Sequence, residues 1–259
     1  MSPHERISAA IRVAAAQGRT ALVAFLTAGY PEKARFREIL AEVAAAADVV
    51  EVGVPFTDPM ADGLTIQRAS RGAIAQGVTL SWILGEIAAM DPPPAAPVVL
   101  MSYLNPLLAM GYERLAERAL ESGVAGFIVP DLPLDESAPL DAALAARGLA
   151  LIHLVSPVTP PERLEAAGRA SRGFLYAVNV TGITGGAKSA GADLNEYLAR
   201  VVAASAVPVC AGFGVRSAAQ VADLGKVVPG VIVGSALVEA LERGESPATF
   251  LGGLAAPKD

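Results

Sequence analysis

One cysteine in 259 residues, Cys210, excludes an internal disulfide, and two histidines, His4 and His153, lie too far apart in sequence to suggest a Cys/His metal site. Aromatic residues are sparse, and no uninterrupted apolar run of about 18 residues is present, so no membrane-spanning helix is expected. The N-terminal stretch MSPHERISAA lacks the apolar segment of an export signal, so the expected location is cytoplasmic. A net charge of −6 without a basic cluster argues against nucleic acid. There is no solenoid-type repeat or low-complexity tract, and no GxGxxG follows the first apolar run, which removes the usual signature of a doubly wound dinucleotide-binding sheet.

What the chain does have is alternation of short apolar runs with longer helical stretches. The runs are ALVAFLT from Ala21, VVEVGV from Val49, VVLMS from Val98, GFIVP from Gly126, ALIHLV from Ala150, FLYAV from Phe174, VPVCAGF from Val207 and GVIVGS from Gly230. None alternates strictly with polar residues, as expected of parallel strands buried on both faces. Between them, PEKARFREILAEVAAAA from Pro31, YERLAERALESG from Tyr112 and SAPLDAALAARG from Ser137 read as helices. A further helix precedes the first strand: Ser2 and Glu5 have capping-box spacing, Pro3 suits a first helical position, and Gly18 ends it. Eight strand–helix units predict an α/β fold, a single (β/α)8 TIM barrel over residues 1–259 with an additional N-terminal helix. The proline-rich DPPPAAP at Asp91 to Pro97 reads as a stiff loop rather than a domain boundary.

Barrels of this kind place their chemistry at the C-terminal ends of the strands. There VVEVGVPFTDPMADG, Val49 to Gly63, sets Glu51 within an apolar run. Strand alternation puts Glu51 and Gly53 on one face and Val50, Val52 and Val54 on the other. Inside the barrel the carboxyl is a general acid or base with a raised pKa, or a structural glutamate held by backbone amides or an arginine. Asp58 and Asp62 in the following loop are helix N-caps or acceptors for a substrate N–H. Glycines in AGFGVRS and VIVGSALVE, with Ser235 at a helix start, outline a phosphate site after the last two strands. TGITGGAKS, Thr181 to Ser189, has the composition of a lid over an anion or of a linker. Tyr103 and Tyr176 line an aromatic pocket or fill the barrel. His153 reads as a hydrogen-bonded barrel residue, Cys210 as inert core, and Lys188 as solvated rather than a Schiff-base former.

Taken in order, VEVGVPFTDPMADG, YLNP, PDLP, GITGG, GFGVRS and VIVGSALV resemble the tryptophan synthase alpha chain family, from Ala21 to about Leu241. The resemblance implies a single barrel that cleaves indole-3-glycerol phosphate to indole and glyceraldehyde 3-phosphate. It implies no cofactor in this chain, and a partner beta chain carrying pyridoxal phosphate in an alpha2beta2 assembly. It assigns catalysis to Glu51 and Asp62, indole contacts to Phe25, Tyr103 and Tyr176, a lid contact to Thr184, and phosphate binding to Gly185, Gly214, Gly234 and Ser235. Leu64 departs from the proline of the family pattern, on the loop expected to meet the beta chain, and Asn179 from a serine before the lid. A free-standing indole-releasing lyase and a non-catalytic module that activates a beta chain are the alternatives; the intact carboxylates speak against the second.

Overall fold

The computed structural model describes residues 1–178, 190–212 and 214–255. Nine parallel strands form one sheet: β1 (Ala21–Thr27), β2 (Val49–Gly53), β3 (Val98–Met101), β4 (Val124–Ile128), β5 (Ala150–Ile152), β6 (Leu154–Val155), β7 (Leu175–Val178), β8 (Val209–Gly212) and β9 (Gly230–Val233). Their order is β5-β4-β3-β2-β1-β9-β8-β7-β6, so the two ends of the series are consecutive pieces of chain with only His153 between them. The His153 carbonyl accepts the Tyr176 N–H at 3.0 Å, while its own N–H donates to Ser171 Oγ at 2.9 Å. The ring is therefore closed. The eight expected strands are all present, the fifth interrupted at one residue, and the open-sheet alternative is excluded.

Alternation along the strands sorts side chains between two cores. Leu22, Ala24, Leu26, Val50, Val52 and Val54 point outward and pack with helix residues such as Phe36, Ile39, Leu40 and Val43. Ala21, Val23, Val49, Val99, Cys210 and Ile232 point inward. The bottom of that inner core is closed by the N-terminal helix Pro3–Ala16, whose Ile7, Ile11 and Ala14 are fully buried against the first residues of the strands. Ser2 N–H donates to Glu5 Oε2 at 2.7 Å in the expected capping box, and Ser8 Oγ donates to the Gly173 carbonyl at 2.6 Å, pinning the helix to the barrel floor.

Some boundaries differ from the sequence reading. The helix expected from Pro31 starts at Phe36, after a 3-10 turn at Lys33–Arg35, because Glu32 is still extended (φ −126°, ψ 120°). β4 begins at Val124 rather than Gly126, and β7 at Leu175 rather than Phe174. The His153 backbone is hydrogen-bonded, but its imidazole is buried and Nε2 has no hydrogen-bond partner among the described residues. Burial lowers its pKa and favours the neutral ring. Cys210 is buried core as expected, its thiol pushed well up by burial.

If the N-terminal helix is a structural plug, Ile11→Ala should cost about 2–5 kcal/mol of unfolding free energy by removing fully buried methylenes. Urea unfolding checks this; a change of only a few tenths would mean that the helix does not close the barrel.

Candidate active site

β2 carries Glu51 inward, in register with Phe25 of β1 and Val99 of β3. The residue is 0% exposed, and neither carboxyl oxygen has a hydrogen-bond partner among the described residues. The structural alternative, a glutamate held by backbone amides or an arginine, finds no support among them. Desolvation alone pushes the Glu51 pKa up to about 8, so at neutral pH the carboxyl holds its proton. Two glycines one step nearer the mouth leave room for rings. A Cβ on Gly53 would stand 2.5 Å from Phe25 Cζ, and one on Gly212 would stand 2.7 Å from Tyr176 Cε1. Phe25 and Tyr176 thus occupy the space that side chains on β2 and β8 would otherwise fill.

Asp62 sits in the loop that follows β2. It is not a helix cap: the helix Leu64–Ala75 is capped at Gly63, which has no side chain to offer, and Asp58 is exposed and accepts from its neighbour Thr57 Oγ1. The Asp62 backbone is tied down instead. Its carbonyl accepts from Gln67 Nε2 at 2.8 Å and its N–H reaches the Pro59 carbonyl at 3.3 Å. Tyr103, just beyond β3, takes the Ala61 N–H on its hydroxyl oxygen at 2.8 Å and stacks on Phe56 with ring centroids 5.0 Å apart. The Asp62 carboxylate is half-buried; desolvation raises its pKa to about 6, and a hydrogen bond from the Tyr103 hydroxyl opposes that rise. The same surroundings push Tyr103 up to about 12, through burial first and then the Asp62 charge.

Two strands along from β2, on the other side of β1, the helix Ser235–Glu242 follows β9 directly, with Gly234 as its N-cap. Its first ladder bonds run from the Leu237 and Val238 N–H groups to the Gly234 carbonyl, so the N–H groups of Ser235 and Ala236 lie in the first turn, where a helix offers donors and a positive dipole end to an anion. Gly214, after β8, has φ +65° and open space around its Cα, a left-handed conformation suited to glycine. Thr65 and Arg216 both donate to Glu239, and Tyr30 and Arg68 both donate to Glu242. These exposed contacts add little stability. They do fasten the helix that begins beside Asp62 to the helix that begins at Ser235.

Glu51, Asp62, Phe25, Tyr103, Tyr176, Gly214, Gly234 and Ser235 are thus gathered at the C-terminal end of the barrel, on β1, β2 and β7 and on the segments that follow β2, β3, β8 and β9. Thr184, Gly185, Asn179 and Lys188 lie outside the described residues. The sequence reading missed Thr27, Ser70 and Ser102, which line a small cavity with Asp62 and Tyr103. Thr27 had a signal: it stands two residues beyond Phe25 on the same strand, hence on the same inward face.

A closed parallel barrel with two carboxyl groups and a helix N-terminus at the C-terminal end of its strands defines an α/β-barrel protein. The family model described as "Tryptophan synthase alpha chain" matches residues 11–252, and the chain belongs to that family. The tryptophan synthase alpha chain of Nitratidesulfovibrio vulgaris is 45% identical over 247 residues, covering 95% of this chain and 96% of its own. That of Deinococcus radiodurans is 41% identical over 257 residues, covering 97% and 94%. Among solved structures, the aminoacrylate-bound form of tryptophan synthase from M. tuberculosis superposes with a TM-score of 0.88 at 37% identity, covering 98% of this chain and 99% of that one. The alpha subunit from Legionella pneumophila gives 0.86 at 31%, covering 97% and 95%.

Because the folded state raises the Glu51 pKa, its contribution to stability is full below about pH 4.5 and is lost as pH rises toward 8. Between pH 4 and pH 7 the wild-type protein should therefore lose stability relative to Glu51→Gln by on the order of 3 kcal/mol. Chemical denaturation of both proteins across that range measures the difference; parallel stability curves would contradict it.

Proposed function

We propose that this chain is the alpha subunit of a tryptophan synthase and cleaves indole-3-glycerol phosphate by a retro-aldol reaction, releasing indole and glyceraldehyde 3-phosphate. The observation that carries this reading is the pair of carboxyl groups whose surroundings set their pKa values apart, Glu51 near 8 and Asp62 near 6. Near neutral pH one is an acid and the other an anion, the division of labour this cleavage needs.

Glu51 gives its proton to C3 of the indole ring. The positive charge that develops at N1 is held by the Asp62 carboxylate, which accepts the N1–H. Glu51, now a carboxylate, removes the proton from the glycerol hydroxyl on the carbon attached to C3. The carbon–carbon bond breaks, its electrons return to the ring, and the new carbonyl leaves as the aldehyde. One proton is given and one taken, so Glu51 ends as it began. Phe25, Tyr103 and Tyr176 supply flat walls for the ring. Gly214, Gly234 and Ser235, with Gly185, bind the phosphate through backbone N–H groups and the helix dipole, which an acidic protein can do without a lysine cluster. Thr184 serves as the lid contact to Asp62. No cofactor is assigned to this chain; pyridoxal phosphate belongs to the partner beta chain.

Coupling to a beta chain is supported by the loop that bears Asp62. Met60 and Leu64 on it are 86% and 78% exposed, an apolar presentation that a partner surface would cover. Leu64 is the first residue of its helix, the position where proline is favoured but not required, so leucine there leaves the helix start in place.

Indole release from indole-3-glycerol phosphate, followed with and without a tryptophan synthase beta chain, tests the reading. Wild-type turnover should rise on adding the beta chain and follow a bell-shaped pH profile between about 6 and 8. Glu51→Gln should lose about 10³-fold or more in kcat and Asp62→Asn about 10²-fold or more, both still folded. Turnover in Glu51→Gln at the wild-type rate would defeat the assignment.

Placing a like charge at the proposed phosphate site gives a separate check. Ser235→Asp should weaken binding of glycerol 3-phosphate by at least about tenfold, read by calorimetry. Unchanged affinity would mean that the phosphate binds elsewhere.

A further inference from the structure

Thr27 is the last residue of β1 and points into the barrel mouth, in register with Gly53. It is 2% exposed, and its hydroxyl has no hydrogen-bond partner among the described residues. A buried hydroxyl in that condition destabilises the fold, and a valine of nearly the same shape would remove the cost. Thr27 lines a cavity with Asp62, Ser70 and Tyr103, with about 20 Å³ of space, room for one water molecule. Tyr103 already serves Ala61 and Asp62, and the Ser102 hydroxyl donates to the Tyr103 carbonyl at 2.9 Å. Thr27, Ser70 and Asp62 are the other polar residues that line this space.

We propose that Thr27 is a positioning residue for Asp62, holding its carboxylate through one bridging water at the C-terminal end of β1. Phe25 stands two residues earlier on the same strand face, so the strand that supplies a wall for the ring also fixes the anion that meets the ring nitrogen. The hydrogen bond favours the ionised carboxylate and limits the rise that burial imposes. Among the described residues, the titratable groups around Asp62 are Tyr103 and Tyr176, with Glu51 beyond Tyr176 and Asp131 beyond Tyr103, and none of these is cationic. Both phenols stay protonated through neutral pH, which leaves the acid limb of turnover to report Asp62.

This inference rests on the proposed indole-releasing activity, and the test separates the two. Thr27→Val and Thr27→Ser are compared with wild type for indole release against pH, for KM and for melting temperature. Thr27→Val should lose at least tenfold in kcat with KM within about twofold, shift its acid limb to higher pH, and melt at the same temperature or higher. Thr27→Ser should keep most of the wild-type rate and acid limb. An active wild type with an unchanged rate and acid limb in Thr27→Val overturns the inference. So does a fall in melting temperature that parallels the lost activity, which would mark the hydroxyl as structural. A wild type that releases no indole would instead overturn the function on which the inference stands.

Discussion

The desolvation of one carboxyl group organises this molecule. Glu51 is enclosed between the inner core below and the rings of Phe25 and Tyr176 near the mouth, without a cation or donor among the described residues to offset the loss of water. An ionised carboxylate there would be expensive, and the group answers by keeping its proton. Several features of the barrel serve that condition. Strand alternation turns Glu51 inward, the N-terminal helix keeps the floor dry, and glycines at positions 53 and 212 let two aromatic rings lie over the group.

Asp62 shows the same physics to a smaller degree. It sits at the mouth, half-buried, and a phenol donates to it, so its pKa rises only to about 6. The gap between the two carboxyls comes from depth and from one hydrogen bond. The anion side of the site is equally spare. A helix start at Ser235 and a left-handed glycine at position 214 offer a phosphate backbone donors, while Arg216 is engaged with Glu239. That is how a chain of net charge −6 can present a local attraction for an anion.

Much of the architecture was readable before any coordinate, because parallel strands buried on both faces leave apolar runs and the loops between them leave glycine and proline. Glu51 stood out as a charge inside such a run, and alternation gave its direction. Other features depend on contacts distant in sequence. Whether Asp62 caps a helix turned on where that helix begins, and Gly63 takes the cap. The break in the fifth strand at His153 follows from Ser171 and Tyr176, neither of them a local neighbour. Thr27 looked like an ordinary strand residue; its meaning lies in the cavity it shares with a loop from the next strand.

The most direct test of the account is the titration of the Glu51 carboxyl itself, followed by isotope-edited infrared or carbon-13 spectroscopy of the wild-type protein and assigned by the signal missing from Glu51→Gln. The account predicts a protonated carboxyl at pH 7 with a midpoint near 8. A midpoint near the ordinary 4.5 would mean that the group is ionised and solvated, or paired, at neutral pH, and would contradict the central claim.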